Sequence, residues 1–255
     1  MVNSLKNDLR KRSELGAIVT LLRPFLRLGH LVVVFGLLAA VPGYAQGVHV
    51  VQYDTLKPEL DARITFDSLP KRAEPGLNFN APMRMGRMLL GQHFEGQSRQ
   101  VADGFDRISG APTAPLTLRP GPPGRNLSVA LHRGFESNAL FPLGQAGFPA
   151  LDARGEGALA ILFDQGQRAI ALRLHSDYPA PLGDAPKPGH VTLQLYTRQG
   201  QLVARHKAPL STGITDIGLR RTGGLPDIAG VIVTNDDPGG IAIDDILYQT
   251  APAAF

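Results

Sequence analysis

Neither cysteine nor tryptophan occurs anywhere in the 255 residues. Without cysteine there is no disulfide, thiolate nucleophile, cysteine metal site or lipid-anchoring lipobox. The fold must hold by its core alone. Tryptophan is the side chain on which sugar-binding sandwiches most readily stack a ring. Its absence, with only Tyr53, Tyr178, Tyr196 and Tyr248 as tyrosines beyond residue 45, argues against an aromatic polysaccharide platform. It leaves room for a polar, loop-built sugar site.

Catalytic signatures are missing as well. There is no Gly-x-Ser-x-Gly elbow, His-Glu-x-x-His, phosphate loop or Gly-x-Gly-x-x-Gly. Beyond residue 45 the histidines are His49, His93, His132, His175, His190 and His206, without ligand spacing. His175-Ser176-Asp177 is contiguous, whereas a triad is assembled in space. Glu95, Glu136 and Glu156 fall on predicted loops. A glycosidase pair must face across about 5–9.5 Å, and nothing in the sequence selects these three.

The excess of positive charge is confined to the N-terminus. Residues 1–45 hold Lys6, Arg10, Lys11, Arg12, Arg23 and Arg27 against Asp8 and Glu14. Leu31 to Val41 is an unbroken apolar run of 11 residues, shorter than the roughly 20 a membrane helix needs. Gly43-Tyr44-Ala45 then offers small residues at signal-peptidase positions. Residues 1–45 are therefore expected to be an export signal cleaved after Ala45, the alternative being an uncleaved anchor. Of the chain's 26 basic and 22 acidic residues, 20 and 20 remain. A neutral mature chain gives no footing for nucleic-acid binding.

What is present is β pattern. Val48 to Tyr53 reads as a short strand, and Lys57 to Ala62 as a helical turn or arm. Ile64 to Leu69 alternates and stops at Pro70, the expected first core strand. Residues 71–87 read as irregular, followed by the apolar piece Met88 to Phe94. Gln97 to Phe105 reads as a loop. Ala111 to Asn126 reads as a proline-rich loop with a short strand, Leu116-Thr117-Leu118, inside it. Leu127 to Leu131 alternates strictly, and Phe135 to Pro149 reads as a connection.

Gly157 to Asp164 suits a central strand covered on both faces. Asp164-Gln165-Gly166-Gln167 is expected to turn it back into Ala169 to Leu174. Val191 to Tyr196 and Leu202 to His206 form a second hairpin. Gly213 to Leu219 and Ile228 to Thr234 follow. The strand Gly239 to Tyr248 closes the domain after the turn Asn235 to Gly240. Many short strands with Gly and Pro punctuation predict an all-β antiparallel sandwich. The expected division is a signal at 1–45, an N-terminal arm at 46–63, one β-sandwich at 64–249 and a loose tail at 250–255.

The closing strand holds a conflict. Asp244 and Asp245 are adjacent within Ile241-Ala242-Ile243-Asp244-Asp245-Ile246-Leu247. Successive strand side chains point to opposite faces. One carboxylate is thereby directed toward an interior, where an unpaired charge is costly.

Val231 to Tyr248 resembles the end of jelly-roll domains of the galactose-binding type in secreted bacterial proteins, including those of the PEP-CTERM kind. Its Ile-Ala-Ile-Asp-Asp-Ile core is also similar to the last strand of MAM adhesion domains. An opening Ile64-Thr65-Phe66-Asp67 and the hairpin around Gln199-Gly200 agree with this. The resemblance is strongest over 157–248. It implies a jelly roll whose first and last strands pair, bringing Asp67 beside Asp244 and Asp245. It also implies a structural Ca²⁺, a hard ion that takes 6–8 oxygen ligands, with Asp67, Asp244 and Asp245 as candidate ligands. The residues alone leave a second reading open, in which these acids sit at a sheet rim bonded to backbone N–H groups or water. The residues after Gln249 lack the Pro-Glu-Pro motif, apolar span and basic end of a sorting tail, so that route is not expected.

The functional expectation is a secreted or periplasmic, non-catalytic binding module for a glycan or cell-envelope partner. A self-associating structural or adhesive matrix protein is the alternative, and a hydrolase without a recognisable motif ranks third.

Overall fold

Alternating apolar side chains become a layered protein only where the apolar faces of each sheet find cover. The computed structural model describes residues 47–176 and 187–251. The expected signal, Asp177 and most of the expected tail lie outside the described residues. In chain order the elements begin with β1 (Val48–Val50), α1 (Tyr53–Leu56), β2 (Ala62–Ile64), β3 (Leu77–Phe79), β4 (Met83–Met85) and β5 (Met88–Gly91). There follow β6 (His93–Phe94), β7 (Ser98–Ala102), β8 (Phe105–Ser109), β9 (Leu118–Arg119), β10 (Leu127–His132) and β11 (Ser137–Pro142). The last are β12 (Leu159–Gln167), β13 (Ala169–Ser176), β14 (His190–Tyr196), β15 (Leu202–Pro209), β16 (Gly213–Arg221), β17 (Ile228–Asn235) and β18 (Ala242–Tyr248).

The chain is an all-β, antiparallel sandwich of the jelly-roll kind. Sheet A has the order β1-β16-β13-β18-β11-β10-β3, with β2 also paired to β18. Sheet B has the order β15-β14-β17-β12-β5-β4. Two small two-stranded sheets, β6-β9 and β7-β8, lie outside them. The main core fills the space between A and B. Leu127, Val129, Leu140, Leu172, Leu174 and Ile243 come from A, and Leu159, Ile161, Phe163, Leu193, Val231 and Val233 from B. Each such side chain, buried, is worth about 1.5–3 kcal/mol.

The outer faces carry small residues where other segments lie on them. On B, Ala158, Ala160 and Ala229 pack under Phe94, Ile108, Leu116 and Leu118. On A, Ala169, Ala171 and Leu247 pack under Tyr53, Leu56 and Leu60. The arm at 46–63 is thus built into the sandwich: β1 extends sheet A along β16, and α1 covers its outer face.

The pairing of the first core strand with the closing one is present, as Ile64↔Ile246 and Ala62↔Tyr248. The expected strand Ile64 to Leu69 is shorter than its pattern. It ends at Ile64 because Phe66 takes φ 57° and the chain turns, Leu69 N–H donating to Phe66 O at 3.1 Å. Buried Asn138 fixes that turn, its Nδ2 donating to Phe66 O (3.2 Å) and Leu69 O (2.9 Å).

A second expectation fails at Asp164 to Gln167. β12 continues through this segment with a break in its register against β17 between Leu162 and Gln167, and β12 and β13 belong to different sheets. An apolar run covered on both faces takes its neighbours from β17 and β5. Gly166 is needed for close approach instead of turning, since a Cβ there would lie 2.0 Å from Pro226 O. Three expected loops also hold strands. Residues 71–87 contain β3 and β4, which pair with β10 and β5. Residues 98–109 form the β7-β8 hairpin around Asp103-Gly104 (φ 54° and 87°), a turn dipeptide legible in the sequence. Ser137–Pro142 pairs with β10 and with β18.

Candidate functional site

The conflict at Asp244-Asp245 is settled by backbone geometry. Between the pairs Arg173↔Asp244 and Ala171↔Leu247, β18 carries one residue more than β13. This is a β-bulge, and Asp245 sits in it with φ 52°, a conformation Asp tolerates better than most residues. Ile243 and Ile246 on either side both reach the main core, while Ala242 packs on the outer face. The extra residue thereby keeps both carboxylates out of the core.

Their surroundings then diverge. The Asp245 carboxylate is held between Arg63 Nε at 3.3 Å and Arg173 Nη1 at 3.1 Å. Arg173 also donates to Asp216 Oδ1 at 3.0 Å and lies 4.4 Å over the Tyr53 ring, a cation–π contact. The Tyr53 hydroxyl donates to Asp245 O at 3.0 Å. Burial, and next the Asp245 charge, push that phenol upward. This network ties the N-terminal arm to the closing strand.

Asp244 has no cationic partner at its carboxylate in the described network. It is 3% exposed. Ser137 Oγ donates to its Oδ2 at 2.7 Å, and its Oδ1 is buried without a hydrogen bond. Burial pushes its pKa up to about 7. The Ser137 and Asp245 N–H hydrogen bonds act against this, and the Asp245 and Asp67 charges add to it. Asp67 is exposed on the adjoining turn, accepting from Asn138 N–H at 3.0 Å.

The Ca²⁺ fit therefore turns on Asp244 and Asp67. The bare Oδ1, Ser137 Oγ and the Asp67 carboxylate are hard oxygen donors of the right chemistry. Asp245 is withdrawn from the set by its two guanidiniums. Among the described residues, no three His, Cys, Asp or Glu side chains cluster as a metal site. Backbone carbonyls and water would have to complete the shell.

Along the same outer face, register brings together residues far apart in sequence. His175 pairs with Ala242, and His132 with Ser137. The two imidazoles meet edge to face at 4.5 Å between centroids, with Phe135 5.5 Å from each and Phe141 5.7 Å from His132. Gly134 lies so close that a Cβ there would be 2.0 Å from His175 Nε2. This cluster fixes the β10-β11 loop.

That loop is one wall of an open cleft of about 590 Å³, within the size range of ligand sites. Phe141, Ile241 and Ala242 line it at depth, and Leu131 and Leu151 stand at its rim. Those two leucines are among the most exposed large apolar side chains in the described structure, at 38% and 54%. Arg154 lies 5.6 Å over the Phe141 ring. Its Nε donates to Leu151 O at 2.9 Å and its Nη1 pairs with Glu74. Arg133 is exposed at the edge. Gly155 brings the segment carrying Leu151 and Arg154 against the closing strand: its φ is 79°, and a Cβ would lie 2.1 Å from Ile241 N.

The carboxylates considered for hydrolysis have separate local settings. Glu95 pairs with Arg119. Glu136 occupies a left-handed turn with φ 58°. Glu156 is pushed upward by burial, then by Asp152 and Asp106. Ser176 Oγ is engaged by Ser211 O at 2.8 Å. Sequence reasoning missed the cleft residues altogether. They come from four separate segments, and only their register and loops assemble them.

No family model matches the chain, and no curated protein matches it. Two solved structures show a distant likeness. One is the enzymatically active domain of tailspike protein 4 of bacteriophage CBA120, at 10% identity and a TM-score of 0.29. That likeness covers 64% of this chain and 19% of the tailspike. The other is a carbohydrate-binding module, CBM28, specific for non-crystalline cellulose, at 13% identity and a TM-score of 0.30. It covers 49% of this chain and 82% of the module. Likeness of this degree assigns no function. No helix among the described residues is long and apolar enough to cross a membrane.

Proposed function

We propose that this chain is an exported, non-catalytic β-sandwich module that binds a carbohydrate of the cell envelope or its surroundings. The observation that carries the reading is the cleft beside the closing strand. It joins exposed apolar surface at Leu131 and Leu151 to a few convergent polar groups, the usual make-up of a small-ligand site. Sugar C–H faces suit the leucines, and hydroxyls suit the Glu74–Arg154 pair. The export reading rests on the basic, apolar and small-residue order of residues 1–45.

The test is calorimetric titration with a panel of neutral and acidic oligosaccharides, repeated on Leu151→Asp. The expected result is saturable binding that weakens at least ~10-fold in the variant, as one lost apolar contact of about 1.4 kcal/mol requires. Absence of binding across the panel, or binding untouched by Leu151→Asp, would refute the proposal.

A second reading concerns the seam. The bare Oδ1 of buried Asp244 supports a structural Ca²⁺ bound through Asp244 and Asp67. Chelator should then lower the melting temperature, and Asp244→Ala should remove the difference. Melting curves that ignore chelator would sink this site.

A further inference from the structure

The lining of the cleft is unbalanced in charge although the chain beyond residue 45 is not. Two guanidiniums, Arg133 and Arg154, face one carboxylate, Glu74, and His132 adds a further cationic group when protonated. Arg154 lies over the Phe141 ring at 5.6 Å and is fixed through its Nε to Leu151 O. A guanidinium held in this way presents its remaining N–H groups as a fork. Glu74, a carboxylate from the facing loop, already occupies that fork. The cleft therefore contains its own small-scale version of an acidic ligand, on a side chain that a competing carboxylate can displace.

The backbone narrows the ligand further. An extended peptide gains affinity by adding to a free sheet edge. Strand β18 is central in its sheet. The N–H groups at the cleft floor are already engaged, Gly240 N–H with Asp237 O at 2.8 Å and Ile241 N–H with Gly155 O at 3.2 Å. No ladder is on offer. What remains is apolar rim, two guanidiniums and one carboxylate, which match a short sugar bearing acid groups.

We infer that the cleft selects acidic oligosaccharides, the uronate carboxylate being taken by Arg154 and Arg133 while the ring packs against Leu131 and Leu151. This inference rests on the carbohydrate-binding reading above and names its ligand class. Displacing Glu74 from Arg154 leaves Glu74 beside the incoming acid, so the ligand's own hydroxyls or a proton on Glu74 must satisfy it.

The experiment compares a tetragalacturonate with its fully methyl-esterified form, which keeps the rings and loses the charge. Calorimetry is run on the wild-type protein, Arg133→Gln and Glu74→Gln. Arg133 is exposed, so its substitution leaves folding intact, as a melting curve will verify. The acidic tetrasaccharide is expected to bind at least ~10-fold tighter than the ester, a difference set by one charge-assisted contact. Arg133→Gln should reduce that preference several-fold, with little change for the ester. Glu74→Gln should strengthen acid binding by freeing Arg154. Equal affinity for both sugars overturns the inference and leaves the carbohydrate reading standing. No binding of either sugar to the folded protein also overturns the inference, while the carbohydrate reading stands or falls with the wider oligosaccharide panel.

Discussion

Asp244→Asn isolates the one buried carboxyl in the closing strand that lacks a cationic partner. In the folded protein its pKa stands at about 7, raised from 3.8 chiefly by burial. An acid raised on folding binds its proton more tightly in the native state. Its contribution to stability is complete below about pH 4, where both states hold the proton. It is lost as pH rises through about 7, because the unfolded chain ionises first. The whole difference of roughly three pH units corresponds to ~4 kcal/mol.

In chelator, wild-type stability relative to Asp244→Asn should therefore fall by about that amount between pH 4 and pH 8. At roughly 2–4 °C per kcal/mol for a domain of this size, the relative melting temperature moves by on the order of 10 °C. The assay is urea or thermal unfolding of both proteins at half-unit pH intervals. Comparing the two cancels every other titrating group. A difference flat within ~1 kcal/mol from pH 4 to pH 8 would refute the claim that Asp244 is buried without compensation. Calcium at pH 8 should restore wild-type stability alone if the cation reading holds, since a bound cation replaces the proton.

Three further outcomes follow from the packing. Asp106 is buried, with Arg99 Nη2 at 2.7 Å from Oδ1 and Ala158 N–H at 3.1 Å from Oδ2; Asp106→Ala should cost about 3–5 kcal/mol in urea unfolding. Gly155→Ala places a Cβ against Ile241 N in a left-handed conformation, and should leave the cleft unformed, seen as lost oligosaccharide binding or failure to fold. Arg173→Met removes the shared partner of Asp245 and Asp216; it should cost about 1–3 kcal/mol, with exchange protection lost first in residues 48–60.

Side-chain period and turn chemistry made the sandwich legible in the sequence, because they are local. Strict alternation in Val191 to Tyr196, and the run Ala158 to Phe163, each specify which faces are buried whatever the neighbours. The same locality explains the errors. Gly166 reads as a turn residue, yet its role is set by Pro226, some sixty residues away. Ser137–Pro142 reads as a connection because its strand pattern is brief and closes on proline. At Ile64 to Leu69, Asn138 pulls the chain into a turn that alternation does not show.

By itself the sequence determined the β class, the closing strand and the presence of a carboxylate problem within it. Each of these is fixed by residue type and spacing of two. How the problem is solved was decided only in three dimensions. A bulge against β13 turns Asp245 to two arginines and leaves Asp244 buried beside Ser137. The cleft is likewise a product of register, since Glu74, Arg133 and the turn carrying Leu151 and Arg154 lie far apart along the chain. Charge pairing and cavity shape depend on distances between segments, and those distances exist only once the strands are aligned.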